Sequence, residues 1–180
     1  MPTPPLPYKI ATLCDLRDRQ GRILLLRRLK APNQGLCSPI GGKLDMPSGE
    51  SPAQSARREI LEEAGLDIPI ERLHLGGLIS EAGYEGQTHW LMFYYRVLGP
   101  VDLKPHVMNE GSLEWHEPDA LEALPLPETD RAIIWPLIRS HEAVGRPGPD
   151  GTPRPGFFAL HIDCTGPAMR WTVEHREDGR

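Results

Sequence analysis

Apolar residues recur along this chain with two different periods, and the change from one to the other marks out its elements. Ile10 to Leu16 is a largely apolar run, the polar residues 17 to 21 make a turn, and Ile23 to Arg28 returns as the second strand of a hairpin. Leu29 to Ser38, with Pro32-Asn33 and Gly35, reads as a loop, and Pro39 to Lys43 as a short strand. Leu73 to Ser80 and Thr88 to Leu98 are two further strands around a turn at Gly83 to Gln87, and Ser112 to His116 is a short one. Phe93, Tyr94 and Tyr95 suit a sheet interior. Gly156 to Cys164 and Met169 to His175 flank Thr165-Gly166-Pro167 as a closing hairpin.

Between these strands the period lengthens to that of a helix. Ala53, Ala56, Ile60 and Ala64 share one stripe, which predicts a helix over Pro52 to Ala64. Its ends are marked: Ser51 and Gln54 have capping-box spacing, Pro52 takes the first helical position, and Gly65 suits a left-handed cap. Ile133, Ile134, Leu137 and Ile138 predict a second helix over Pro127 to Ala143, bent at Pro136. Gly145 to Pro155 is rich in proline and glycine and reads as a mobile connection without regular structure. Strands before and after a capped helix, followed by a second helix, predict an α/β fold with a mixed sheet between helices. Residues 1 to 8 form a proline-rich arm, and residues 9 to 180 one domain.

Composition narrows the function. The formal net charge is −5 and no run of basic residues occurs, so the footprint of a nucleic-acid duplex binder is missing. Small phosphorylated ligands remain, because a local cluster of cations can hold them at any net charge. Cys14, Cys37 and Cys164 are too scattered for a disulfide framework or a thiolate metal site, and neither a signal peptide nor an apolar stretch long enough to span a membrane is visible. A soluble cytoplasmic protein is expected. Its oligomeric state is not written in the pattern.

The chemistry is concentrated on the first helix. Glu59, Glu62 and Glu63 lie at i, i+3 and i+4 beside the apolar stripe, and such like-charged pairs cost roughly 0.2–0.5 kcal/mol each. A divalent cation such as Mg²⁺ would turn that repulsion into binding, whereas a solvated face balanced by Arg57 and Arg58 is the competing reading. Gly41-Gly42-Lys43 stands before the helix, where backbone can approach a ligand and a lysine can meet phosphate. Glu50 precedes Arg58 by eight residues.

At this spacing the stretch resembles the signature of the Nudix hydrolases, G-x5-E-x7-R-E-U-x-E-E-x-G-U with U aliphatic. Glu50, Arg58, Glu59, Ile60, Glu62, Glu63, Gly65 and Leu66 match. Seven residues separate Gly42 from Glu50 where the family has five, which places a two-residue insertion at Asp45 to Ser48. The resemblance implies an α/β/α sandwich with a mixed central sheet, a small nucleotide substrate, and Mg²⁺ as cofactor with Mn²⁺ as a substitute. It implies that Glu59, Glu62 and Glu63 bind metal and activate water, with the base among them left open, and that Glu50 and Arg58 hold the loop against the helix. Glu110, five residues before Trp115, resembles a further metal carboxylate of the family; Glu114 is its rival, and an ordinary surface acid competes for both. Lys43, Arg27 and Arg28 are candidate phosphate contacts, with a solvated surface charge the competing reading for each, and strand alternation requires one of the two arginines to face away.

Beyond the signature, the resemblance is to the oxidised-purine branch, the enzymes similar to 8-oxo-dGTP diphosphatase. It rests on Arg27-Arg28 through Gly42, Leu126 through Asp130, and Gly156-Phe157-Phe158 through Trp171-Thr172-Val173. It implies that Glu128 and Asp130 contact the base, with Ser38 where that branch has asparagine; serine cannot repeat the paired contact of an amide. Two functions follow: a hydrolase splitting a phosphoanhydride bond of a nucleoside diphosphate-linked substrate, or a non-catalytic nucleotide sensor. The complete set of box acids favours the hydrolase.

Overall fold

Strands with one polar face need a single helix layer, whereas a strand apolar on both faces needs a layer on each side; this chain has both kinds. The computed structural model describes residues 5–30, 33–149, 151 and 153–177. Its elements run β1 (Tyr8–Asp15), β2 (Ile23–Arg28), β3 (Cys37–Ser38), α1 (Pro52–Ala64), β4 (Leu73–Tyr84), β5 (Thr88–Val97), β6 (Gly111–His116), α2 (Trp135–Ser140), β7 (Phe158–Asp163) and β8 (Arg170–Arg176). Five strands form a mixed sheet in the order β1-β5-β4-β7-β8, with β1 parallel to β5 and β7 parallel to β4. The antiparallel sheet β3-β2-β6 is separate and smaller.

The two helices define two cores. Ala56, Ile60 and Ala64 of α1 pack with Cys14, Tyr95 and Val97, while Ile133, Trp135 and Ile138 pack with Met92, Tyr94 and Phe158. The run Ile23 to Leu26 is buried on both sides, Ile23 and Leu25 toward the α2 core and Leu24 and Leu26 toward the α1 core. In β4 a bulge between Leu75 and Gly77 changes which face the odd-numbered residues take: Leu75 packs with the α1 core, Ile79 with the α2 core.

Several expected boundaries move. The end of the N-terminal arm is docked, since the Pro7 carbonyl accepts from His89 N and Thr88 Oγ1, both at 2.8 Å, and β1 begins at Tyr8; residues 1–4 lie outside the described residues. The loop expected over residues 29 to 38 ends in β3, and its Pro32 lies outside the described residues. The strand expected over Pro39 to Lys43 is a single pair of bridges, Ile40 to Cys14 and Lys43 to Ala11. This segment covers the outer edge of β1, with Thr12 N donating to Gly42 O at 2.8 Å and Cys14 N to Ile40 O at 2.7 Å. Gly41, at φ +150°, breaks the regular extended path.

The second helix is wound differently from expectation. Asp130–Ile134 is a π turn that runs into α2, and Trp135 N–H reaches back to the Asp130 carbonyl. Pro136 has no N–H to continue an ordinary ladder, so the bend expected there is taken up by the wider turn ahead of it. The helix stops at Ser140. In the connection from Gly145 to Pro155, Gly145 N donates to Arg154 O at 3.0 Å and closes its base; Asp150 and Thr152 lie outside the described residues. Among the described residues no helix is long and apolar enough to cross a membrane.

One buried acid anchors the far end of the sheet. Asp15 receives hydrogen bonds from Arg17 (3.2 Å), Arg96 (2.8 Å) and Tyr94 Oη (2.9 Å). Burial pushes its carboxyl upward, but the charges of Arg96 and Arg17 and their hydrogen bonds outweigh this and hold its pKa below the usual carboxylate range. A group depressed on folding stabilises the fold above its unfolded value and loses that contribution as pH falls through its folded value. Asp15→Asn is therefore expected to cost about 3 kcal/mol in urea unfolding at pH 7, because among the described residues it leaves Arg17 and Arg96 with Glu142 alone, at 2.6 and 3.7 Å, as their carboxylate partner. The deficit of the variant should shrink as the comparison is moved below about pH 4.

The inserted segment gives a second expectation. Residues 46 to 49 are exposed turn, and the contacts that close it, Glu50 N to Asp45 O and Asp45 N to Glu50 Oε2, come from its ends. Deleting Pro47 and Ser48 should shift the thermal midpoint by no more than about 3 °C, since a small change in loop length costs a fraction of a kcal/mol. A larger fall would show that the segment contributes to the fold beyond closing a loop.

Candidate functional site

Helix α1 is placed by its own ends. Ser51 Oγ accepts from Gln54 N at 3.2 Å, the Gln54 side chain accepts from Ser51 N at 2.9 Å, and Gly65 closes the helix at φ 68°. The buried stripe Ala56, Ile60 and Ala64 then fixes its rotation, which turns Glu59 and Glu63 toward the Gly41-Gly42 segment on the edge of β1. Gly41 N donates to Glu63 Oε2 at 3.1 Å. A side-chain carbon on Gly42 would collide with the Glu59 carboxylate, so the acid can lie against backbone at that position.

Arg58 ties the preceding loop to this face. Its Nε and Nη2 form a fork on Glu50 at 2.8 and 2.9 Å, Nη2 also reaches the Lys43 carbonyl at 3.1 Å, and Nη1 donates to Glu59 at 2.7 Å and Glu62 at 3.3 Å. Glu50 and Arg58 thus stand as orienting residues. Glu62 keeps a side chain 59% exposed, and its carboxylate lies outside the cavity.

The cavity, of about 470 Å³, opens above Glu59, Glu63 and Glu110 and is lined at the same end by Gly41, Gly42, Lys43 and Arg28. Burial pushes Glu63 up to about 7, with the charges of Glu59 and Glu110 adding and the Gly41 amide and Arg28 opposing. Burial raises Glu59 too, against the pull of Arg58. Among the described residues no three His, Cys, Asp or Glu side chains are drawn together closely enough to enclose an ion as they stand. Glu59 and Glu63 are held by Arg58 and by the Gly41 amide instead. Their donors are carboxylate oxygens, which suit a hard ion that keeps part of its own water shell.

The other end of the cavity was only half foreseen. Asp130 and Ser38 line it, as expected of base contacts, but so do Asn33, Glu81, Tyr84, Trp90, Met92 and Thr129. Glu81 is 3% exposed, and its Oε1 has no hydrogen-bond partner among the described residues. Burial raises its pKa, opposed by a hydrogen bond with the Thr129 side chain. Burial and the charge of Glu81 together push Asp130 up to about 7. The signal that could have revealed Glu81 is a lone acid two residues beyond Ile79, on the face that alternation assigns to the core.

Three candidates fall elsewhere. Arg27 faces away from the cavity and pairs with Glu114 at 3.2 Å, while Arg28 lines it, which is the outcome that alternation along β2 requires. Glu114 also accepts from Ser112 Oγ at 2.7 Å, so Glu110 is the acid of the two that reaches the cavity. Glu128 is exposed and outside the cavity, because two helical positions rotate it roughly 200° from Asp130.

A sequence model of the NUDIX domain matches residues 7–138. The uncharacterized Nudix hydrolase YvcI of Bacillus subtilis (strain 168) is 30% identical over 124 residues, which cover 68% of this chain and 75% of that protein. A MutT protein from Bacillus halodurans superposes with a TM-score of 0.63 over 92% of this chain and 97% of its own, at 22% identity. A MutT Nudix hydrolase from Burkholderia pseudomallei does so with a TM-score of 0.55 over 71% of this chain and 95% of its own, at 27% identity. The domain model spans most of the chain and the Bacillus subtilis relative matches over two thirds of it, so this chain belongs to the Nudix hydrolases.

Proposed function

We propose that this protein is a divalent-metal-dependent hydrolase that splits a phosphoanhydride bond of a nucleoside diphosphate-linked substrate. The observation that carries the reading is the convergence, at one end of one cavity, of Glu59, Glu63 and Glu110 with Lys43, Arg28 and the bare backbone of Gly41-Gly42. Glu59, Glu63 and Glu110 would hold Mg²⁺, or Mn²⁺ in its place. When bound, the ion would neutralise phosphate charge and lower the pKa of water. Glu62, exposed at the rim, remains a candidate for a further ion or for the proton-accepting role.

The chain's own groups do the rest of the work. Lys43 and Arg28 meet phosphate oxygens, and the Gly42 backbone lets the phosphates approach Glu59 closely. Arg58 fixes Glu59 by a charge-assisted hydrogen bond and holds the loop of Lys43 in place. Glu63 is oriented by the Gly41 amide, which donates to its Oε2 at 3.1 Å. The ring of the substrate lies at the other end, between Trp90, Met92 and Tyr84. An oxidised purine nucleoside triphosphate is the substrate we favour, on the resemblance of Leu126 through Asp130 to the oxidised-purine branch.

The decisive experiment is phosphate and pyrophosphate release, with and without Mg²⁺, over oxidised and ordinary nucleoside triphosphates, nucleoside diphosphate sugars and dinucleoside polyphosphates. Mg²⁺-dependent release from one class is expected. Silence across the panel, with nucleotide still bound, would replace the hydrolase with a sensor.

Two substitutions sharpen this. Glu63→Gln is expected to lower kcat at least about tenfold at saturating Mg²⁺, a barrier increase of about 1.4 kcal/mol; unchanged turnover would remove Glu63 from the machinery. Arg28→Gln should raise KM about fivefold or more through loss of a charge-assisted phosphate contact, while Arg27→Gln stays within about twofold of the parent. Equal effects of the two arginines would contradict the assignment.

A further inference from the structure

A buried carboxylate that lacks a hydrogen-bond partner is an expensive thing for a fold to keep. Glu81 is one. It sits at the end of β4, 3% exposed, with Oε1 unpartnered and no ion pair among the described residues. Nothing in the packing asks for an acid there: its neighbours on the same face are Ile79, two residues back, and Trp90, directly across on β5. A leucine or glutamine would satisfy the sheet better. The side chain nevertheless lines the cavity, at the end away from Glu59 and Glu63.

A second acid is delivered to the same place by the opposite layer. Asp130 is the first residue of the π turn, and with Thr129 it lines the cavity next to Glu81. The two carboxyl groups feel each other: the charge of Glu81 raises Asp130, and both acids bear on Tyr84. Burial and the mutual repulsion of the two acids disfavour ionising both at once, which favours a proton on one of them. What the pair offers a ligand is several acceptor oxygens and, from the protonated partner, one O–H.

The walls describe the shape of that ligand. Trp90, Met92 and Tyr84 surround the two acids with flat or yielding apolar surface, which suits a planar ring. A ring that presents two neighbouring N–H groups could satisfy the orphaned oxygen of Glu81 in one step, because a carboxylate accepts a paired donor edge in parallel. We propose that Glu81, acting with Asp130, determines specificity by reading the ring of the bound nucleotide, and that it selects a planar heterocycle with a ring N–H beside an exocyclic amine, as on the guanine edge. This rests on the nucleotide reading above and deepens it by naming the ring chemistry.

The test uses the full chain without metal, so that binding is measured apart from turnover. Isothermal titration compares GMP, which has both donors, IMP, which keeps the ring N–H and lacks the amine, and AMP, which lacks the ring N–H. GMP is expected to bind at least about tenfold tighter than IMP, since the unmade hydrogen bond would leave a buried carboxylate oxygen unsatisfied. In Glu81→Gln that preference should collapse to within about twofold, with AMP binding unchanged. The same variant should melt at the parent temperature or a few degrees above it, because a buried unpaired charge has been removed. Asp130→Asn, as a second variant, should narrow the same preference.

A merely structural Glu81 would give the reverse: a lower melting temperature in Glu81→Gln with the GMP preference intact, or an equal loss for all three nucleotides. Either result overturns the proposal, as does a parent protein that binds GMP and IMP alike. The two readings fail separately. No hydrolysis of any panel substrate together with an intact GMP preference would sink the hydrolase and keep the ring reading, whereas Mg²⁺-dependent hydrolysis with no GMP preference would do the opposite.

Discussion

The site depends on a single guanidinium. Arg58 stands between the loop that carries Lys43 and the helix that carries the acids, and its donors are distributed over Glu50, Glu59, Glu62 and the Lys43 carbonyl. Without it Glu59 and Glu62, one helical turn apart, would lose the guanidinium they share, and Glu50, whose side chain is only 10% exposed, would lose its ion-pair partner. The fork geometry matters as much as the charge, since a lysine could neutralise Glu50 but could not hold both of its oxygens while reaching a backbone carbonyl. The loop can therefore vary in length at its exposed tip, residues 46 to 49, because its base is pinned at Lys43, Asp45 and Glu50.

The cavity has acids at both ends but treats them differently. At the α1 end, Glu59 and Glu63 lie among cationic and backbone donors, with Arg58, Arg28, Lys43 and the Gly41 amide all within the same neighbourhood. Burial still raises both acids, so these donors offset the charge only in part, and a divalent cation would complete the set. At the α2 end, Glu81 and Asp130 have Thr129, Tyr84 and Trp90 for company and no cation lining the cavity beside them. A ligand bridging the two ends would present phosphates to the first and ring donors to the second. The sheet makes this possible: Trp90 and Met92 of β5 lie between β1, which carries the Gly41-Gly42 segment along its edge, and β4, which carries Glu81.

Much of this was legible in the sequence because it is local. The bounds of α1 follow from Ser51, Pro52, Gln54 and Gly65 alone, and the spacing of its acids fixes which of them share a face. The choice between Arg27 and Arg28 also needed no more than the pleat. What escaped is what depends on contacts distant in sequence. Glu81 looked like a polar residue past the end of a strand that stopped at Ser80, whereas pairing with β5 and β7 carries β4 on to Tyr84. Glu128 and Asp130 looked equivalent until the helix start was placed, and the π turn at Asp130 exists because Pro136, six residues later, cannot donate. Asn33 was passed over as a loop residue, although its left-handed backbone, φ 62°, carries it to the cavity wall.

Two buried acids in this molecule show how function differs from architecture. Asp15 and Glu81 are each almost fully enclosed, and burial pushes both toward the neutral form. Around Asp15 the fold has answered with Arg96, Arg17 and Tyr94, so that the acid stays charged and the network closes on itself. Around Glu81 it has not: one oxygen is left open, and the nearest strong electrostatic neighbour is another acid. Selection for stability alone removes such a defect, since a neutral isostere of the same shape is available. Burial does not distinguish the two residues. What does is that one hydrogen-bonding set is complete within the chain, whereas the other has an oxygen left open that a bound ring with matching donors would fill.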